Sequence, residues 1–148
     1  MSIQEDIQKN RTLNYIRPLE RVSRAQISEV GGKAANLGEL LKAGFPVPDG
    51  YVLTAKAFKK FVEANKFASN DLHPEIIRTG RMPEEIKNEL LSIIDNYGNL
   101  FLAVRSSCVE EDLSTASFAG QYETVLGVKG IEELDAAIKR CWGVYFFG

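Results

Sequence analysis

Residues 83–107 read Pro83-Glu84-Glu85-Ile86-Lys87-Asn88-Glu89-Leu90-Leu91-Ser92-Ile93-Ile94-Asp95-Asn96-Tyr97-Gly98-Asn99-Leu100-Phe101-Leu102-Ala103-Val104-Arg105-Ser106-Ser107, and two periodicities meet within them. Ile86, Leu90, Ile93, Ile94 and Tyr97 recur at helical spacing, so one face of a helix is apolar. Pro83 suits the first helical position and Gly98 the stop. Leu100 to Val104 is then an unbroken apolar run of strand length, which predicts a strand covered on both faces with Arg105 at its end. A helix feeding a buried strand demands a layered fold of both kinds of element.

Toward the N-terminus the same alternation continues. Leu13, Tyr15 and Ile16 predict a short strand ending at Pro18. Ala34, Leu37, Leu40 and Leu41 predict a helix from Gly31 to about Ala43, stopped by Gly44. Phe45-Pro46-Val47-Pro48-Asp49-Gly50 is a stiff extended turn, because each proline fixes its own φ and moves its predecessor out of the helical region. Tyr51-Val52-Leu53 reads as a strand. Thr54 reads as the N-cap of a helix burying Ala55, Phe58, Phe61 and Val62. Residues 66–82 read as a connection without a period of its own.

Toward the C-terminus, Ser106 to Gln121 form a long loop of small and polar residues, and Thr124-Val125-Leu126 resumes strand character. Leu134, Ile138, Cys141, Trp142, Tyr145 and Phe146 stripe a final helix whose aromatic end is a surface for self-association. Residues 1–12 are polar and form a flexible tail, leaving 13–148 as one domain. The class is α+β, close to α/β in flavour, with helices packed on a small mixed sheet.

Composition bounds the function. The chain has 148 residues, 45% of them hydrophobic and 26% charged, which excludes a disordered or fibrous protein. Eighteen Lys and Arg against 20 Asp and Glu leave a net charge of −2, which argues against nucleic acid as a partner. Two cysteines, Cys108 and Cys141, and one histidine, His73, offer no zinc spacing. No signal peptide or bilayer-length apolar run is present, so no membrane partner and a cytoplasmic location are expected.

Three short stretches have phosphate-binding chemistry. Gly31-Gly32-Lys33 sits where a loop becomes a helix: glycines allow close backbone approach, helix-start N–H groups favour an anion, and the lysine adds a mobile charge. Ala34 follows in place of Ser or Thr, so this is not a Walker A loop. A glycine turn with a solvated lysine explains the same residues. Val104-Arg105-Ser106-Ser107 brings a guanidinium out of a strand end, where it can fork onto phosphate oxygens or pair with Glu110, Glu111 or Asp112. Ser117-Phe118-Ala119-Gly120-Gln121 is a small-residue loop able to turn backbone N–H groups toward a ligand, or simply to connect. The run Glu110-Glu111-Asp112 reads as a solvated stretch or cap.

Two blocks in fixed order make a pattern. Val30-Gly31-Gly32-Lys33-Ala34-Ala35-Asn36-Leu37-Gly38-Glu39-Leu40 with Gly44-Phe45-Pro46-Val47-Pro48-Asp49-Gly50-Tyr51 resembles the opening of the nucleotide-binding domain of phosphoenolpyruvate synthase, pyruvate phosphate dikinase and rifampicin phosphotransferase. Ala103-Val104-Arg105-Ser106-Ser107, Glu111-Asp112-Leu113, Ala116-Ser117-Phe118-Ala119-Gly120-Gln121 and Glu123-Thr124 are similar to the second block of that family. The resemblance spans roughly residues 13–147, with a shorter segment between the blocks than in typical synthases. It implies the first subdomain of an ATP-grasp site. Lys33 and Arg105 would bind ATP phosphates, Gly120 would approach them by its backbone, and Thr124 would line the nucleotide. Gly31, Gly32, Ser106, Ser107, Ala119 and Gln121 would support the phosphate loops.

In that family phosphoryl groups pass from ATP to a histidine on a mobile domain and then to pyruvate, water, phosphate or a drug hydroxyl. The resemblance therefore implies ATP with Mg²⁺, the metal being held by a second ATP-grasp subdomain, and it implies a phosphohistidine domain and a pyruvate-binding barrel as partners. None of these lies within the 148 residues, and His73 matches no carrier motif. No catalytic residue or metal ligand is expected here, so the chain alone is inactive. It is read as the ATP-binding portion of a pyruvate, water dikinase-like phosphotransferase; the alternative is a stand-alone, non-catalytic binding module of the same descent.

Overall fold

The computed structural model describes residues 13–98, 100–107, 124–142 and 144–147. The expected N-terminal tail, and Cys108, the acidic run and the 117–121 loop, lie outside them. Five strands, β1 (Ile16–Pro18), β2 (Gly50–Leu53), β3 (Leu102–Ser106), β4 (Thr124–Val128) and β5 (Val144–Phe147), form one sheet in the order β1-β2-β5-β3-β4. Among the described residues six α-helices accompany it: α1 (Ile27–Val30), α2 (Gly32–Lys42), α3 (Ala55–Asn65), α4 (Pro74–Thr79), α5 (Glu84–Tyr97) and α6 (Gly130–Cys141). The class is α+β. All four ladders among the described residues are antiparallel, so the sheet is not mixed.

The largest departure from the sequence pattern is at the C-terminus. The stripe expected to continue as helix ends at Cys141, and Val144–Phe147 become the middle strand, paired with β2 on one side and β3 on the other. Helical spacing in the stripe was real as far as Cys141; beyond it, a run of β-branched and aromatic residues gains more from two ladders than from another helical turn. The expected aromatic end of that helix, Tyr145 and Phe146, thus lies in a strand. Trp142 instead stacks on Phe61, with centroids 4.7 Å apart, and meets Phe58 edge-on at 5.2 Å.

Two apolar clusters hold the sheet from opposite sides. Ala57 of α3, Ile86, Leu90 and Ile93 of α5, and Leu134, Ala137, Ile138 and Cys141 of α6 pack on Ile16, Leu53, Leu102, Val104 and Val128. On the other face, Val30, Ala34 and Ala35 gather with Leu19, Val22 and Val52. That second cluster covers β2 but does not extend over β3. Leu102, Val104 and Ser106 are buried, whereas Ala103 is half-buried and Arg105 exposed. The strand expected to be covered on both faces is covered on one, with Leu100 and Phe101 lying exposed before its start.

Local differences have local causes. Thr54 stands at the start of α3 but does not cap it; its hydroxyl donates to the Tyr15 carbonyl at 2.9 Å, tying β1 to β2. In α3 the buried stripe centres on Ala57 and Phe61, and Ala55 is exposed. The 66–82 connection contains the short helix α4, hidden from the sequence by its single turn and a half. Asn14 and Tyr15 donate their backbone N–H groups to Glu89 of α5, which anchors the start of the first strand to that helix. No described helix is long and apolar enough to cross a membrane.

Tyr97 meets Tyr51 edge-on at 6.1 Å, and its buried hydroxyl has no hydrogen-bond partner. Burial chiefly, then Tyr51 and Asp49, push its pKa above the ordinary 10.0; burial and Asp49 likewise raise Tyr51. Since the folded phenol holds its proton at a pH where the unfolded one has lost it, this contribution is intact below pH 10 and is lost as pH rises past it. The urea midpoint should therefore fall between about pH 9 and pH 11, and Tyr97→Phe should shrink that fall while costing little at neutral pH. An unchanged fall in the Tyr97→Phe protein would reject the assignment.

At Gly38 an added Cβ would lie 2.1 Å from the Val22 carbonyl oxygen, a backbone atom that cannot step aside. Gly38→Ala is expected to lower unfolding free energy by about 2–3 kcal/mol, measured by urea denaturation, despite the better helix propensity of alanine.

Candidate functional site

The two glycine- and arginine-bearing stretches, more than seventy residues apart in sequence, meet directly. Gly31 sits between α1 and α2 at φ 85° and ψ 163°, a conformation open essentially to glycine alone. Only the missing Cβ lets Ser107 approach: a carbon there would lie 2.2 Å from the Ser107 carbonyl oxygen. The Ser107 hydroxyl donates to the Val30 carbonyl at 2.6 Å and accepts from the Ala34 N–H at 3.2 Å. Ala34 is in the first turn of α2, so the serine satisfies one of that helix's orphan donors.

Register places the remaining residues. Arg17 pairs with Val52, Val52 with Tyr145, Tyr145 with Arg105, and Arg105 with Thr124. Residues directly opposite in a ladder belong to the same face, so these five form one row across the whole sheet. Val52 is the member covered by Ala34 and Ala35 of α2. Arg105 therefore lies on the face that α2 occupies, two strands or about 10 Å from Val52. Thr124, exposed like Arg105, is its neighbour on the next strand.

Lys33 is half-buried in the first turn of α2, two residues beyond Gly31, while Arg105 lies two residues before Ser107. With Gly31 and Ser107 in contact, the Cα atoms of the two cationic residues lie within roughly 20 Å of each other by chain geometry. Both engage other groups within the protein. Gly32 opens α2 beside Lys33. Ser106 is buried with Leu102 and Val104, and its hydroxyl has no hydrogen-bond partner. Gly120, Ala119 and Gln121 lie outside the described residues. The structure thus brings Gly31, Gly32, Lys33, Arg105, Ser107 and Thr124 to one end and one face of the sheet, and Ser106 to the opposite face.

Sequence reasoning missed the partners of Ser107. Val30 and Ala34 act through a backbone carbonyl and a backbone N–H, and main-chain groups carry no residue-type signal. It also missed a groove of about 580 Å³ lined by Arg78, Asp135, Ala136, Lys139 and Arg140. Lys139 there is bound to Asp135 at 3.1 Å, and the groove lies on the outer side of α6, across the helix layer and sheet from Arg105. Among the described residues no group of three His, Cys, Asp or Glu side chains is placed to hold a metal ion.

The start of α2, with Lys33 in its first turn, and the strand end that carries Arg105 are thus joined through Gly31 and Ser107, and helix-start N–H groups, an ammonium and a guanidinium are the groups that suit a polyanion. The sequence has the matching relatives. The family described as pyruvate phosphate dikinase, AMP/ATP-binding domain, matches residues 27–147. The chain is 43% identical over 124 residues to an uncharacterized phosphotransferase, YvkC, of Bacillus subtilis, covering 80% of this chain and 15% of that protein. It is 41% identical over 152 residues to phosphoenolpyruvate synthase of Aeropyrum pernix, covering 84% of this chain and 18% of the relative. With phosphoenolpyruvate synthase of Pyrococcus furiosus the identity is 32% over 186 residues, covering 86% and 23%. That alignment exceeds the length of this chain, so the relative carries insertions. The chain spans less than a quarter of the length of these relatives. By its family match and by these identities, the chain belongs to the pyruvate phosphate dikinase AMP/ATP-binding domain family.

Proposed function

We propose that residues 13–148 form the triphosphate-holding half of an ATP-grasp site in a phosphotransferase of the phosphoenolpyruvate synthase type, working in the cytoplasm. The observation that carries this reading is the row Val52-Tyr145-Arg105-Thr124, which sets Arg105 on the same sheet face as the helix bearing Lys33.

Lys33 and Arg105 bind phosphate oxygens of ATP. The ammonium is a mobile point charge, and the guanidinium forks onto two oxygens, so one steers while the other orients. Thr124 lines the nucleotide beside Arg105, and Gly120 closes over the phosphates through its backbone N–H, with Ala119 and Gln121 as its neighbours. As a phosphoryl group leaves ATP for a carrier histidine, charge on its oxygens and on the departing nucleotide is countered by the Lys33 and Arg105 cations. The histidine, the residues that hold Mg²⁺ and the pyruvate-binding barrel are supplied by other domains. This division of labour agrees with the share of the relatives' length that the chain spans.

A half-site binds weakly, because adenine and metal contacts are lacking. The isolated chain is expected to bind Mg-ATP with Kd of about 1 mM or weaker, roughly −4 kcal/mol, by calorimetric titration. Micromolar binding would contradict the half-site and favour a self-sufficient binding module.

In the complete phosphotransferase, Lys33→Ala or Arg105→Ala should abolish ATP-dependent phosphorylation of the carrier histidine, while far-UV circular dichroism stays unchanged. Phosphohistidine formed at the normal rate in either variant would remove that residue from the role.

A further inference from the structure

Ser107 is 1% exposed, so its hydroxyl does not meet a dissolved ligand, and its one proton is committed to the Val30 carbonyl. Its two hydrogen bonds fall on residues 30 and 34, which bracket Lys33. A single side chain, placed just past the end of the strand that carries Arg105, thus clamps both flanks of the turn that carries the lysine. Gly31 stands in that turn at a φ of 85°, held by its N–H donating to the Ile27 carbonyl at 2.9 Å and its carbonyl accepting from Ala35 at 3.0 Å, with no side chain to add a further contact.

We propose that Ser107 is a positioning residue that fixes the spacing between the Lys33 ammonium and the Arg105 guanidinium without touching the ligand. The proposal rests on the reading of this face as a triphosphate site. Two cations bind one polyanion tightly only when the second contact costs no further ordering; each degree of freedom left at the Gly31 turn must otherwise be frozen when the ligand binds. The hydroxyl freezes it beforehand. It also uses the Ala34 N–H, so the helix-start donors nearer Gly31 are those directed to an anion.

The test uses the 148-residue chain, labelled with ¹⁵N, and inorganic tripolyphosphate as the probe, at a temperature well below the unfolding midpoint of every variant. In the wild type the Lys33 and Arg105 amide signals should shift along one saturation curve. In Ser107→Ala, and in Ser107→Cys, which keeps the volume but bonds weakly, the midpoint should move to about tenfold higher concentration, equivalent to ~1.4 kcal/mol. Faster exchange of the Ala34 amide would show that the clamp has been released. If the Ser107 variants melt earlier yet saturate at the wild-type concentration, the positioning role is overturned while the site reading stands. Absence of any saturable shift at Lys33 and Arg105 in the wild type would overturn the site reading, and the positioning role with it.

Discussion

The contact between Gly31 and Ser107 is the constraint on which the join between the end of β3 and the start of α2 depends. It joins the end of β3 to the break between α1 and α2 through a backbone approach that any Cβ would block, and it is sealed by a buried hydroxyl bonded on both sides. Hydrogen bonds of this kind add modestly to stability on average, but leaving their buried partners unpaired is costly. The contact is therefore better understood as specifying geometry than as supplying bulk stability. The apolar clusters supply that.

The sheet explains why such a contact leads to a usable surface. One face carries α3, α5 and α6, and among the described residues the apolar cluster on the other face lies at β2, where α2 rests on Val52. The antiparallel arrangement tolerates this asymmetry, because one face of an antiparallel sheet can meet solvent. Arg105 and Thr124 lie beyond that cluster and are exposed. Had β3 been covered on both faces, as the apolar run before Arg105 suggested, Arg105 would be buried rather than exposed. The middle strand β5 ties the two parts together, since β2 and β3 reach each other only through it.

Much of the chain was legible beforehand. The helices around Leu37, Phe61, Leu90 and Leu134 announce themselves by apolar spacing, and the strands β2 and β4 by short apolar runs next to turn residues. The short helix α4 was not legible, because six residues cannot establish a period. Nor was the exact placement of β3, whose first expected residues, Leu100 and Phe101, are exposed. Apolar character marks that a segment is extended and near a core, but which residues enter the ladder is decided by the partner strand. Of the candidate site, the cations and glycines were legible from residue type alone, and their common face was not.

The amino-acid sequence by itself determined the class of fold, most of the helices, and the charged groups suited to phosphate, because these follow from side-chain chemistry and from short-range periodicity. Only the tertiary structure decided that Val144–Phe147 leave the helical stripe to become the central strand, that Arg105 shares a sheet face with α2, and that Ser107 closes on Val30 and Ala34. The reason is physical: ladder partners and buried hydroxyl bonds are contacts between residues distant in the chain, made through backbone groups that every residue possesses.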